Sequence, residues 1–394
     1  MSETRIEDLL AALSLEEKLG QMTLVSAGQA VTGPEGPLDY LAAIRAGRVG
    51  AVCNLWGPER TGEAQRLAVE ETRLGIPLLF TFDLIHGHHT VFPIPLAEAA
   101  AFDPDLWEKT ARAGALEGAA DGLALAFAPM LDVARDPRWG RIAESPGEDP
   151  WLACRFATAK VRGLQGEDLA GPQNLAATAK HLAGYGAVTA GREYASVDIS
   201  ERTLHEVYLP PFKAAVQAGV AAIMPAFTDL AGLPMTANAA LLSGLVRDDW
   251  GFEGVMVSDY GAIAELVIHG VAADLAEAAA LALKAGIDID LMGFAYARGL
   301  PTALERGLVE IAAIDAAVRR ILELKMRLGL FDDPYRRGVG QGLTAAQQAA
   351  NRALARDAAR RSIVLLTNRN DLLPLADGRR LAVLGPLADA PREM

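Results

Sequence analysis

Seven short apolar runs recur along the chain at intervals that leave room for one helix between neighbours. They are Val49 to Leu55, Leu78 to Phe82, Ala124 to Val133, Leu175 to Ala179, Ala221 to Phe227, Val255 to Val257 and Ile287 to Met292. Such runs fit strands buried on both faces. Helical patterns lie between them, at Gly62 to Leu74, Asp103 to Asp121, Pro150 to Gln165, Glu201 to Ala218 and Ala273 to Ala285. Strands alternating with helices of this length build parallel βαβ units. The segment Gln21 to Val25 offers one more strand. Seven or eight units in roughly 320 residues predict an α/β chain folded as a (β/α)8 TIM-like barrel. A doubly wound sheet is the alternative; against it, no Gly-x-Gly-x-x-Gly follows the first strand.

The flanks are patterned differently. Residues 4–20 predict one helix, with apolar Ile6, Leu9, Leu10, Leu13 and Leu19. Residues 312–328 predict another, which Gly329 can cap. The polar, turn-rich stretch 332–342 reads as a linker. A helix over Ala345 to Ser362 follows, then short apolar strands at Ile363 to Leu366 and Leu381 to Leu384. One helix and two short strands cannot bury a core of their own. The expected organisation is therefore a barrel over 1–331, a linker over 332–342, and the incomplete beginning of a second α/β domain over 343–394.

Composition excludes some function classes. The formal net charge is −13 and no basic run is present, so nucleic acid is not an expected partner. Cys53 and Cys154 form neither a disulfide framework nor a metal set. The first residues lack the basic and apolar regions of an export signal, and no apolar stretch reaches membrane-spanning length. These readings predict a cytoplasmic enzyme with no membrane partner.

The functional signal is where polar residues fall. Asp83 follows the run Leu78 to Phe82 directly. Arg141 lies just after the run ending at Val133. Lys180 and His181 follow Ala176 to Ala179, Arg192 lies in the next loop, and Asp259 ends its own strand. In a parallel barrel these positions converge on one mouth, where reacting groups sit. The set supplies donors and acceptors together, as a sugar's hydroxyls require. Trp139 and Tyr260 add ring faces for stacking. A single aspartate after a strand is more often a turn former, and Lys180 with His181 could be a structural pair; the convergence outweighs these separate readings. His86, His88 and His89 lie close together, but without a carboxylate partner they read as partly exposed loop histidines rather than a metal site. Glu144 and Glu148 read as parts of a structured turn, with Asp149-Pro150 starting a helix. Asp288 and Asp290 are candidates to orient neighbours at a strand end. A Schiff-base aldolase or isomerase on Lys180 is a competing class, disfavoured because no phosphate-binding glycine loop appears late in the barrel.

These residues resemble the family 3 glycoside hydrolases, the bacterial β-glucosidase type above all. The matching strings are Leu15-Glu-Glu-Lys-Leu-Gly-Gln-Met22, Asp83-Leu-Ile-His-Gly87, Asp136-Pro-Arg-Trp-Gly-Arg141, Glu148-Asp-Pro150, Lys180-His181, Gly191-Arg192, Trp250-Gly-Phe252, Val257-Ser-Asp259 and Leu328-Gly-Leu-Phe331. The tail after 343 resembles the opening of that family's second domain, an α/β sandwich.

The resemblance implies a retaining, exo-acting β-glycosidase, foremost a β-glucosidase that removes terminal non-reducing β-D-glucosyl residues through a covalent glycosyl-enzyme. Asp259 matches the nucleophile. Asp83, Arg141, Lys180, His181 and Arg192 match the residues that hold the glycosyl unit. Met224, Phe227 and Tyr260 are expected to line the pocket, Phe227 where several members carry a tyrosine and Tyr260 where a tryptophan is common. The loop Leu182 to Arg192 holds no histidine or aspartate, unlike the Asp-x-His dyad of members acting on N-acetylglucosamine, which argues against a hexosaminidase. The general acid/base of the family is a glutamate in the second domain. The implied partners are thus a β-glucoside and the remainder of that domain, in the same or a separate chain, with a homo-oligomer open. No cofactor and no metal is implied. β-Xylosidase specificity and a non-catalytic sugar-binding fragment are the alternatives.

Overall fold

The computed structural model describes residues 3–28, 39–338, 340 and 342–390. They divide into two compact units, Met1–Ser362 and Ile363–Met394. The first is built on eight parallel strands: β1 Thr23–Ser26, β2 Ala51–Cys53, β3 Leu79–Phe82, β4 Leu125–Ala126, β5 Ala176–Leu182, β6 Ala222–Pro225, β9 Val255–Met256 and β10 Asp290–Leu291. An antiparallel hairpin, β7 Asp229–Leu230 with β8 Leu233–Pro234, stands apart from them. The sheet order is β10-β1-β2-β3-β4-β5-β6-β9. A parallel bridge between Val257 and Ile289 joins its two ends and gives the expected TIM-like barrel.

The strands form where the apolar runs predict them, because both faces are covered. All seven residues of β5 are buried. Several helices start at side chains that accept their free N–H groups. Asp103 accepts from Asp105 and Leu106 at 3.0 and 3.2 Å, and Asp149 accepts from Leu152 at 2.9 Å. Both aspartates precede a proline at the first helical position, where its missing N–H costs nothing.

Three expectations change. The single helix over 4–20 is two, Glu3–Ala12 and Leu15–Gln21, because Ser14 and Glu17 form a reciprocal cap that starts the second. The stretch 332–342 is no free linker where described: Arg337 is buried and donates to the carbonyls of Asn174 and Leu328 at 2.9 and 3.1 Å. The boundary at 343 moves to 362, since the helix Ala345–Arg361 belongs to the first unit. Its Ala358 is fully buried with Phe92, Leu106 and Ala113, and its Asn351 donates to Glu117 at 2.8 Å.

In the second unit, Ile363 to Leu366 and Leu381 to Leu384 form no strands among the described residues. Leu366 is 89% exposed and Leu384 88%. Isolated short strands have no sheet to complete their hydrogen bonds.

The docked helix gives a test of the boundary. Ala358→Glu places a charge where no partner exists, an error that costs several kcal/mol when the site cannot open. We expect the helix to undock, with trypsin cutting at Arg352, Arg356 or Arg360 at least about tenfold faster than in wild type while barrel circular dichroism is kept. Unchanged proteolysis would place the helix outside the first unit.

Candidate active site

Eight of the nine candidate residues line one cavity of about 850 Å³. Asp83 comes from the end of β3, Arg141 from the loop after β4, and Lys180 and His181 from β5. Met224 and Phe227 come from β6 and its exit, and Asp259 and Tyr260 from the exit of β9. Arg192 is the exception: it is exposed and does not line the cavity.

Successive side chains on a strand ordinarily point to opposite faces. Lys180 and His181 both reach the cavity because the register of β5 against β6 shifts between Lys180 and Leu182. An irregularity of this kind re-aims side chains near active sites. Lys180 Nζ donates to Asp83 Oδ1 at 2.5 Å. His181 is held by Asp132, whose Oδ2 accepts both its backbone N–H at 3.0 Å and its Nδ1–H at 2.8 Å. With the proton on Nδ1, Nε2 can accept from Arg141 Nη2 at 3.3 Å. Burial pushes the imidazole's pKa well down, and the charges of Arg141 and Lys180 add to that, so the ring is neutral. Burial likewise pushes Asp132 up to about 8.

Arg141 is clamped by Glu144, with Nε at 2.8 Å and Nη2 at 3.0 Å from its two oxygens. It also lies over the ring of Tyr185, 5.5 Å from the centroid. Glu193 fixes that wall by accepting from both Trp139 Nε1, at 2.7 Å, and the Tyr185 hydroxyl. Gly191 has φ +66°, and a Cβ there would lie 2.8 Å from the Trp139 nitrogen. The loop can cross the Asp136 to Arg141 segment only with glycine at that point.

Asp259 is buried yet sparsely bonded. Its Oδ1 accepts the Tyr260 N–H at 2.7 Å. Its Oδ2 has no hydrogen bond among the described residues and lies 3.6 Å from His181 Nε2. Burial pushes the carboxyl up to about 6; the Tyr260 N–H and the charges of Lys180 and Arg141 oppose it, while Asp83 adds to it. A buried carboxylate with open lone pairs among cations can ionise near neutrality and keep its nucleophilic oxygens uncommitted.

Sequence reasoning missed Asp132, Glu193 and Tyr194. Asp132 is the one charge inside the apolar run Ala124 to Val133, a signal that was available. Tyr194 lines the cavity edge-on to Phe227 at 5.2 Å, and only the loop's folded path brings it there. Among the described residues, one group could hold a metal ion: His88, His89 and Asp121, none of which lines this cavity.

The family model described as the glycosyl hydrolase family 3 N terminal domain matches residues 14–324. The chain belongs to glycosyl hydrolase family 3. Among curated relatives of this family 3 chain, a periplasmic beta-glucosidase of Salmonella typhimurium is 41% identical over 99% of the chain and 51% of the relative. A beta-xylosidase of Formosa agariphila is 38% identical over 85% of the chain and 49% of the relative. A solved beta-glucosidase from Listeria innocua, in complex with isofagomine, aligns with a TM-score of 0.89 at 40% identity, covering 95% of this chain and 53% of that one. The chain thus spans about half the length of the relatives it matches. The expectation of a cytoplasmic enzyme is corrected by the periplasmic relative. No helix among the described residues is long and apolar enough to cross a membrane.

The raised pKa of Asp259 has a consequence for stability. Between about pH 3.8 and 6 the folded protein binds the extra proton, so stability from this group is full below that window and falls as pH rises through it. Asp259→Asn removes the charge and keeps the oxygen facing the Tyr260 N–H. We expect it to be more stable than wild type at pH 7 by about 1–3 kcal/mol, with the difference vanishing below about pH 4. Denaturant titrations at both pH values read this directly.

Proposed function

We propose that the chain supplies the sugar pocket and nucleophile of a retaining, exo-acting β-glucosidase. The observation that carries this reading is the under-compensated carboxylate of Asp259, set in a cavity where Lys180 is paired with Asp83 and Arg141 with Glu144. In a retaining reaction two carboxyl groups about 5–5.5 Å apart flank the scissile bond. Asp259 attacks the anomeric carbon, the glycosidic C–O bond breaks, and an ester forms between sugar and carboxylate. Water then cleaves that ester.

Asp83 accepts from sugar hydroxyls, while Lys180 and Arg141 donate to them. His181 presents Nε2 in an orientation that Asp132 sets. These contacts hold the anomeric carbon within reach of Asp259 and convert binding into orientation. Met224, Phe227 and Tyr260 supply apolar wall. Phe227 has no hydroxyl to hydrogen-bond the nucleophile, which leaves more of its charge for attack. Arg192, exposed in this fold, is left out of the sugar contacts.

The leaving oxygen needs a proton donor. Asp83 and Glu144 are each engaged by a cation, so neither is assigned that task. We assign it to polypeptide corresponding to the other half of the relatives' length, in the same or a separate chain. The beta-xylosidase relative favours a second reading, in which the glycosyl unit is xylose. Sugar binding without turnover is the third.

Rates on 4-nitrophenyl β-D-glucoside and β-D-xyloside separate these readings. We expect faster turnover of the glucoside, a loss of at least about a thousandfold in Asp259→Ala with glucose binding retained, and kcat/KM falling below about pH 6 as Asp259 protonates. Faster turnover of the xyloside selects the second reading. Wild-type turnover by the variant would remove Asp259 from the mechanism.

A further inference from the structure

His88 and His89 have no acidic neighbour in sequence, and the fold supplies one. Asp121 closes the helix Pro104–Ala120, and its Oδ2 lies 2.7 Å from His88 Nε2 and 2.8 Å from His89 Nε2. Two imidazoles from consecutive residues therefore aim the same ring atom at one carboxylate oxygen.

We propose that His88 Nε2, His89 Nε2 and the Asp121 carboxylate form a binding site for a borderline divalent cation such as Zn²⁺, with water completing the coordination. The donor set decides the cation class. Imidazole and carboxylate together suit Zn²⁺, Co²⁺, Ni²⁺ or Cu²⁺, whereas Ca²⁺ and Mg²⁺ take oxygen ligands. Metal bonds of about 2.0–2.1 Å in a tetrahedron set neighbouring ligand atoms about 3.3 Å apart. The cluster needs to open by about half an ångström from its hydrogen-bonded spacing.

The burial pattern allows that. The side chains of His88 and Asp121 are 4% and 13% exposed, and that of His89 is 59% exposed. Two donors are thus seated in the protein, and the third stands open to solvent as both a route of entry and the part that can move. His88 is held edge-on by Trp56 and Phe82, with centroids at 6.5 and 5.6 Å. Glu117, one turn before Asp121, accepts the backbone N–H groups of His89 and Thr90, both at 2.8 Å, and so fixes the loop that carries the histidines. Support of this kind around a ligand set maintains its orientation. Proton placement is compatible too. Without a cation, each Nε2–H donates to Asp121. With one, the proton of each neutral ring sits on Nδ1 and the Nε2 lone pair faces the metal.

The test is a calorimetric titration of the full 394-residue chain with ZnCl₂ at about pH 7.5 after treatment with a chelator. We expect one saturable equivalent, and no such binding for CaCl₂. His89→Ala alters an exposed side chain and leaves the fold intact; it should weaken Zn²⁺ at least about tenfold, as should Asp121→Asn. Substituting Co²⁺ should give visible d–d absorption of a low-symmetry site, lost in His89→Ala. A lack of saturable Zn²⁺ uptake, or unchanged affinity in both variants, would overturn the site and leave a hydrogen-bonded cluster only.

Discussion

The barrel depends on one short seam. Seven of its strand pairings are made between adjacent members of the sheet, but the ring closes only where the exit of β9 meets the approach to β10. There the Ser258 N–H donates to the Ile289 carbonyl at 2.8 Å, and the Leu291 N–H donates to Ser258 Oγ at 3.0 Å. Asp288 bolts the seam from within. Its Oδ2 accepts the Met256 N–H and Arg247 Nη2, both at 2.7 Å, and its Oδ1 accepts Arg320 Nε at 2.8 Å. A carboxylate buried with this many donors is compensated, and removing any one would leave charge unpaired. Asp259 is the next residue out from Ser258. The hydrogen bonds that close the barrel are therefore the ones that hold the proposed nucleophile in place.

The cavity above that seam separates its charges by function. Lys180 is given to Asp83 and Arg141 to Glu144. Asp132 gives one oxygen to His181 and orients the ring, while burial and the charges of Arg141 and Lys180 keep it neutral. Asp259 receives one backbone N–H and the field of its neighbours, but no side-chain hydrogen bond among the described residues. Burial then costs the ionised form enough to raise its pKa, and that cost is the physical counterpart of reactivity. The site trades some stability for a carboxylate whose lone pairs are not already used.

Much of this was legible in the sequence, for reasons that can be named. The apolar runs read as strands because a parallel barrel buries both faces, so Val255 to Val257 carries its structural role in three letters. Asp83, Lys180, His181 and Asp259 were visible because a charge that directly follows such a run must sit at the rim, and Arg141 because it lies in the loop that leaves one. Arg192, further out in the loop after Lys180 and His181, does not line the cavity, since a loop residue's direction depends on the loop's path. That path turns on the left-handed Gly191 and on Glu193 holding Trp139 and Tyr185. Asp132 was hidden by its apolar neighbours. The pairing of Asp121 with His88 and His89 was hidden by more than thirty residues of separation. The helix Ala345–Arg361 was read correctly as a helix and assigned to the wrong unit, because its sequence does not say that Ala358 meets Phe92 and Leu106.

The central claim is that Asp259 forms a covalent bond to the sugar. A 2-deoxy-2-fluoro β-D-glucoside with a dinitrophenolate leaving group tests it most directly. That leaving group departs without a proton, so the measurement is independent of where the general acid resides. Peptide mass mapping after incubation should find one glycosyl adduct on Asp259, formed with release of one equivalent of dinitrophenolate. An adduct on Asp83 or Glu144, or no adduct in a protein that binds glucose, would contradict the account.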